Sequence, residues 1–331
     1  MTYVSLPGLV DIHVHFRDPG FTYKEDLISG AAAAAAGGFS AVCCMPNTRP
    51  ICDNAEIVRD ILLRSQTLPV AVYPVAAATL GQRGETLTDF TALKAAGAVA
   101  LSDDGMPILD GALMRRALIL AAEAGLPLIS HCEPEDEMAG RDIALAGETG
   151  CPVHIAHVST AKTVGMIREA KARGVPVTAE TCPHYLLLTE DDVKGDANRK
   201  MNPPLARESD RLALIQGIAD GTIDILCTDH APHAPDEKDV PFDRAPNGVT
   251  GLETALAACW TALRGHVPLA RVVDMMSSAP AKRLGLPPPQ GEGFLFDPDA
   301  EWVVRVDAMK SKSRNTPFEG MTLRGKIVRV F

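Results

Sequence analysis

No run of about eighteen apolar residues occurs anywhere in the sequence, which excludes a simple membrane-spanning helix. The first residues, MTYVSLPGLVDIHVHF, lack a basic start followed by an uninterrupted apolar stretch; no secretory signal is expected, and the expected location is the cytoplasm. There is no CxxC pair among the eight cysteines, Cys43, Cys44, Cys52, Cys132, Cys151, Cys182, Cys227 and Cys259. A zinc ribbon or dithiol redox motif is thereby excluded, and reduced, buried thiols are expected. Blocks of like charge are also missing: 32 Lys and Arg are scattered among 42 Asp and Glu, for a formal charge of −10. Such a surface does not track phosphates, so nucleic acid is not an expected partner.

What remains is globular, with 46% hydrophobic and 22% charged residues, far from the composition of disorder. The 331 residues suffice for one large barrel or two smaller domains. Short apolar runs recur at 7–14, 39–44, 70–75, 98–102, 127–131, 153–157, 175–179 and 223–228. Most are nearly continuous (SAVCCM, VAVYPV, LPLISH, IDILCT), as parallel strands covered on both faces require. Helical stretches alternate with them: the alanines of 31–36 stopped by Gly37-Gly38, 160–173 stopped by Gly174, and 209–219 stopped by Asp220-Gly221. Further helices are predicted at 251–264 and 268–284.

The rhythm predicts an α/β fold, a (β/α)8 TIM barrel over residues 1–286, with a doubly wound open sheet as the second choice. The long interval 180–222, with its MNPPL, reads as a loop reaching over a site. From Pro287 the text changes to three prolines and short alternating segments, which predict a small β appendage at 287–331 packed on the barrel.

The chemically capable residues fall at strand ends. His13 and His15 in DIHVH share one side of a strand by alternation. Asp103-Asp104 end the fourth apolar run, His131 the fifth, His157 the sixth and Asp229 the eighth. In a barrel these ends meet at one mouth. The mixture suits zinc or a similar divalent ion that acidifies water near neutral pH, so hydrolytic chemistry is expected. Asp229 is the candidate to accept the proton of that water and pass it to a departing nitrogen. The bland alternative for any histidine is a core or surface residue with a satisfied hydrogen bond; that is expected of His154, His184 and His266.

Eight motifs follow one another: HVHFRDPG (13–20), MPNTRP (45–50), SDDG (102–105), HCE (131–133), HVST (157–160), KMNPPL (200–205), TDHAPH (228–233) and KSRNTPF (312–318). Over nearly the whole chain they resemble the dihydroorotases of the amidohydrolase superfamily; the HxH pair alone would mark only the superfamily. The resemblance implies reversible cyclisation of N-carbamoyl-L-aspartate to L-dihydroorotate in pyrimidine biosynthesis. It implies that His13 and His15 bind one Zn2+ and His131 and His157 a second, with Asp104 between them. A single ion per chain is the other reading. Asp229 would touch the first metal and act as acid and base. Arg17, Asn47 and His233 would hold the substrate carboxylate, and Asn202 with the backbone around Asn247 and Gly248 the ring.

Many relatives bridge their metals with a carboxylated lysine in the fourth strand, but GAVALSDDG contains none. The resemblance to the Asp-bridged, bacterial-type subgroup implies Asp104, with Asp103 as the second choice. Relative to the family, an N-terminal segment, the connection between Glu133 and Arg141, and a piece around Gln290–Phe294 look shortened. A reduced appendage would leave strand edges open, which implies a homodimer or docking to a partner, and the resemblance suggests aspartate transcarbamoylase as that partner. Two other readings compete. An allantoinase- or hydantoinase-like hydrolase is opposed by Asn202 and the Arg17, Asn47 and His233 set. An inactive subunit that only scaffolds aspartate transcarbamoylase is opposed by the full set of donors.

Overall fold

The computed structural model describes residues 3–289 and 293–331. A short strand, β1 (Val4–Leu6), precedes eight parallel strands: β2 (Leu9–Val14), β3 (Phe39–Cys44), β4 (Ala71–Ala76), β5 (Ala100–Ser102), β6 (Leu128–Ser130), β7 (Val153–Ile155), β8 (Val177–Thr181) and β9 (Ile225–Leu226). The eight are hydrogen-bonded in sequence order. Val14 pairs with His230, and the His15 N–H donates to the His230 carbonyl at 2.8 Å, joining the two ends of the sheet. Each of the eight apolar runs is thus a strand of one (β/α)8 barrel.

Continuous apolar runs work here because both faces are covered. Ile12, Cys43, Val75, Ile129 and Ile225 fill the interior, while Leu9, Val42, Leu101 and Val153 face the helices. The helices start where side chains can cap them. Asp26 accepts from the Ser29 N–H ahead of Leu27–Ala36, and Thr160 from the Thr163 N–H ahead of Ala161–Ala172, each satisfying a first-turn donor that has no partner within the helix.

The predicted helix 268–284 is two helices, Leu269–Met275 and Ser278–Leu284. Between them the Met276 carbonyl accepts from the Val10 N–H at 2.7 Å, and the Ser277 hydroxyl donates to the Gly8 carbonyl at 2.8 Å. A barrel strand thus takes the carbonyl that a continuous helix would use. The second helix then closes the barrel bottom with Ala281 and Leu284. Predicted helix 251–264 begins as a tight turn at Leu252–Thr254 and continues as Ala255–Leu263. The interval 180–222 is irregular between Pro183–Leu187 and Glu208–Ala219 apart from single turns.

The appendage is an antiparallel sheet in the order β1, β10 (Phe294–Val303), β11 (Thr322–Val330). A division at residue 286 would leave Val4–Leu6 with the barrel, but these residues pair with Phe294–Phe296. The N-terminal residues therefore supply one edge of the small sheet. Phe294 and Phe296 are fully buried beneath it, and a Cβ at Gly325 would lie 2.4 Å from the Phe296 ring, so only glycine allows that approach. Val303, Val328, Val330 and the adjoining Phe331 are exposed. Of the piece around Gln290–Phe294 that looks shortened, residues 290–292 lie outside the described residues. Among the described residues no helix is long and apolar enough to cross a membrane. All eight cysteines are free, and only Cys151 is less than fully buried.

Because Phe294 anchors the small sheet against the turn at Gly38, Phe294→Ala is expected to cost about 3–5 kcal/mol of stability. Urea unfolding of the two proteins measures it.

Candidate active site at the barrel mouth

The strand ends bring their polar side chains to one place. His13 Nε2 lies 3.2 Å from Asp104 Oδ1 and 3.5 Å from Asp229 Oδ1. His15 Nε2 lies 3.0 Å from Asp229 Oδ1 and 3.4 Å from Asp104 Oδ2. On the other side, His131 Nδ1 is 3.4 Å from Asp104 Oδ1 and 2.8 Å from His157 Nε2; the latter is 3.5 Å from Asp104 Oδ1. All six residues are buried. Asp103 turns away, accepting from the Thr79 N–H at 3.0 Å and from the Thr79 hydroxyl. Of the adjacent carboxylates, only Asp104 faces the imidazoles.

Partners behind the cluster fix its orientation. His13 Nδ1 is 2.6 Å from Glu180 Oε1, and the other oxygen of this buried carboxylate is 3.2 Å from His154 Nε2. His15 Nδ1 is 2.8 Å from Asn47 Oδ1. With their Nδ1 protons committed to these acceptors, His13 and His15 turn Nε2 lone pairs toward Asp104 and Asp229. Asp11 accepts from the N–H groups of His13 and Thr228, tying the first strand to the last. The backbones of Arg17, His157 and Asp229 have φ of 60°, 33° and 47°, a left-handed conformation costing about 1–2 kcal/mol per residue. Such strain persists where surrounding structure enforces it, commonly at functional sites.

Buried His13 Nε2 and Asp104 Oδ1 have no hydrogen-bond partner. Acceptor facing acceptor is unfavourable unless a cation lies between them. Two ligand atoms each about 2.1 Å from a tetrahedral ion stand about 3.4 Å apart, close to the 3.0–3.5 Å separations between imidazole and carboxylate here. His13, His15 and Asp229 form one triplet able to hold an ion, and His13, Asp104 and His157 another. A third, His13 with Glu180 and Cys227, is less suited because both Glu180 oxygens already face histidine nitrogens. The donor set fits divalent metal.

All the expected site residues except His13 line one cavity of about 210 Å3; His13 is fully buried behind it. Arg17 is braced by its Nε donating to the Pro232 carbonyl at 3.2 Å. Asn47, with its oxygen held by His15, keeps its amide N–H groups for a ligand. His233 Nε2 is 2.8 Å from the Asn247 carbonyl and Nδ1 is 3.3 Å from Lys24 Nζ. Burial, with Arg17 and Lys24 nearby, pushes His233 down to about 3, so the ring is neutral and both nitrogens are engaged. Asn202 donates to Glu133 Oε2 at 2.8 Å. A Cβ at Gly248, where φ is 134°, would sit 2.8 Å from the Ala231 carbonyl.

A second cavity of about 460 Å3 meets the first at Asn202 and is lined by Glu133, Pro203, Leu205 and Arg207. It lies where the short connection after Glu133 runs directly into helix Glu135–Thr149.

Sequence reasoning missed Glu180, Glu133 and Lys24 as partners of site residues. Glu180 had a signal: it directly follows the apolar run 175–179, next to last in the strand VTAET, much as the other chemically capable residues lie at the ends of theirs. His154 bonds Thr178 and Glu180 behind the cluster, as a structural histidine does. His230 was passed over; its Nδ1 accepts from the Gly251 N–H and its Nε2 lies 3.5 Å from Glu25.

A protein of Pelotomaculum thermopropionicum named dihydroorotase is 46% identical over 357 residues, covering 97% of this chain and 83% of its own length. Another of that name from Citrifermentans bemidjiense is 45% identical over 362 residues, covering 98% of this chain and 85% of its own. The chain belongs to the dihydroorotase family. The family described as Dihydro-orotase-like matches residues 2–142. Both alignments are longer than the 331 residues here, so these dihydroorotases carry internal residues that this chain lacks. Among solved structures, L-hydantoinase from Arthrobacter aurescens superposes with a TM-score of 0.87 at 24% identity, covering 98% of this chain and 83% of that one. Dihydropyrimidinase from Brevibacillus agri NCHU1002 does so with 0.85 at 22%, covering 99% and 83%. That likeness is one of fold.

For this member of the dihydroorotase family, Glu180→Gln is expected to weaken divalent-ion affinity about 10–100-fold without unfolding the barrel, measured by competition with a chelator. His184 is buried against Tyr185, and burial lowers it to about 4. The unfolded chain therefore binds a proton first as pH falls. The contribution of neutral His184 is full above about pH 6.5 and is lost on acidification toward about pH 4, on the order of 3 kcal/mol. His184→Phe should flatten the stability profile in that window, as read by unfolding at successive pH values.

Proposed function

We propose that this chain is a metal-dependent dihydroorotase that interconverts N-carbamoyl-L-aspartate and L-dihydroorotate in pyrimidine biosynthesis. The observation that carries the reading is a buried cluster of imidazoles and carboxylates on the floor of a cavity whose walls hold Arg17 and Asn47. His13, His15 and Asp229 would hold one divalent ion and Asp104, His131 and His157 a second. Zinc is the species that the donor set suits. When bound, such ions supply Lewis acidity toward water and the ring carbonyl.

The chain's own groups do the rest. Arg17 offers a planar, two-pronged donor to the substrate carboxylate. Asn47 adds the amide N–H groups that His15 leaves free. In ring opening, an Asp229 oxygen takes one proton from the attacking water and returns it to the ring nitrogen as the carbon–nitrogen bond breaks, and then takes the water's other proton from the new carboxyl group, leaving a carboxylate. Ring closure reverses these steps and starts from protonated Asp229. Lower pH thus favours closure and higher pH favours opening. The complete donor set supports an active enzyme over a scaffold subunit.

The test is turnover of L-dihydroorotate by the zinc-loaded protein, with hydantoin and allantoin as comparison substrates and metal content measured on the same sample. Dihydroorotate should be strongly preferred. Asp229→Asn is expected to lower turnover about 10²–10⁴-fold; normal turnover with metal retained would remove Asp229 from the role.

A further inference from the structure

The segment 311–318 lies outside every helix and strand, and the chemistry above gives its motif no task. Arg314 points outward to the Val306 carbonyl, but Asn315 is only 1% exposed. The Asn315 side chain directs every bond to the backbone of one loop. Its Nδ2 donates to the Ala231 carbonyl at 3.1 Å and the Gly248 carbonyl at 3.0 Å. Its Oδ1 accepts from the His233 N–H at 3.2 Å. Ala231, His233 and Gly248 all line the cavity that Asn315 itself does not reach.

Ala231 and Gly248 stand on opposite arms of that loop, and the planar Asn315 amide bridges them alongside the direct bond from the Ala231 N–H to the Val249 carbonyl at 2.8 Å and the contact of His233 Nε2 with the Asn247 carbonyl. The same loop carries the Pro232 carbonyl that braces Arg17. From the other side, the Ser313 hydroxyl donates to the Lys24 carbonyl at 2.7 Å, and Lys24 Nζ approaches His233 Nδ1. Residues far along the chain thus fasten two walls of the cavity around Arg17 and His233.

We propose that Asn315 is a positioning residue for the end of the cavity that receives the substrate carboxylate, acting through the backbone of Ala231, His233 and Gly248. This rests on the dihydroorotase reading above. Asn315 touches none of His13, His15, Asp104, His131, His157 or Asp229, which are set by the barrel strands, Asp11 and Glu180. Its loss therefore removes binding shared by ground state and transition state, which raises KM and spares kcat.

Steady-state kinetics of zinc-loaded Asn315→Ala and Asn315→Asp on L-dihydroorotate test this, with hydrogen exchange of residues 231–250 measured on the same proteins. The aspartate variant keeps the acceptor for His233 and sets a carboxylate against the two carbonyls. In both variants KM should rise roughly tenfold or more, with kcat within about threefold. Exchange should quicken in 231–250 and not in the barrel strands. Arg314→Ala should leave KM unchanged. An unchanged KM in a folded variant, a fall in kcat alone, an equal effect of Arg314→Ala, or failure of both Asn315 variants to fold would each overturn the proposal. Absence of turnover in the unsubstituted, loaded protein would overturn the parent reading and this inference together.

Discussion

Acceptor atoms buried face to face are the constraint on which the rest of this structure depends. His13 Nε2 and Asp104 Oδ1 approach to 3.2 Å without a hydrogen bond, deep beneath the barrel mouth. Such an arrangement is unfavourable by itself and becomes favourable when positive charge lies among the donors. Much of the surrounding architecture makes sense as the means of holding these groups together. Glu180 turns the His13 ring, Asn47 turns that of His15, and Asp11 draws the first and last strands together.

The barrel makes this arrangement rigid. Strands buried on both faces and covered by helices leave little room for their ends to move. Residues 27 to 214 positions apart along the chain are thereby held at contact distance, as for His131 with Asp104 and His15 with Asp229. Precision in the cluster comes from the strands, whereas the cavity walls come from loops. The loop after Asp229 needs outside support, and it draws that support from the C-terminal segment through Asn315. The binding wall and the reacting floor therefore have separate mechanical foundations.

Much of the fold was legible because parallel strands in a barrel have a plain signature of short, continuous apolar runs at regular intervals. Polar residues at the ends of those runs stood out for the same reason, and His13, His15, Asp104, His131, His157 and Asp229 do meet. The helix break at Met276–Ser277 was hidden, since a strand distant in sequence takes the Met276 carbonyl. The small sheet was only half legible, because Val4–Leu6 is too short to announce a partner nearly 290 residues away. Glu180 was readable in principle from its place at a strand end. Asn315 was not, because an asparagine between an arginine and a threonine carries no local sign of the backbone it will bind.

The sequence by itself determined the alternation of strands and helices, the kind of chemistry at the strand ends and the family resemblance, since each is written in local spacing and residue type. Only the tertiary structure decided which of Asp103 and Asp104 faces the imidazoles, which nitrogen each histidine presents, and which loops are tied to the C-terminal segment. Those outcomes depend on the partners that long-range packing places around each side chain, and the same short polar residues could have hydrogen-bonded elsewhere in a different fold.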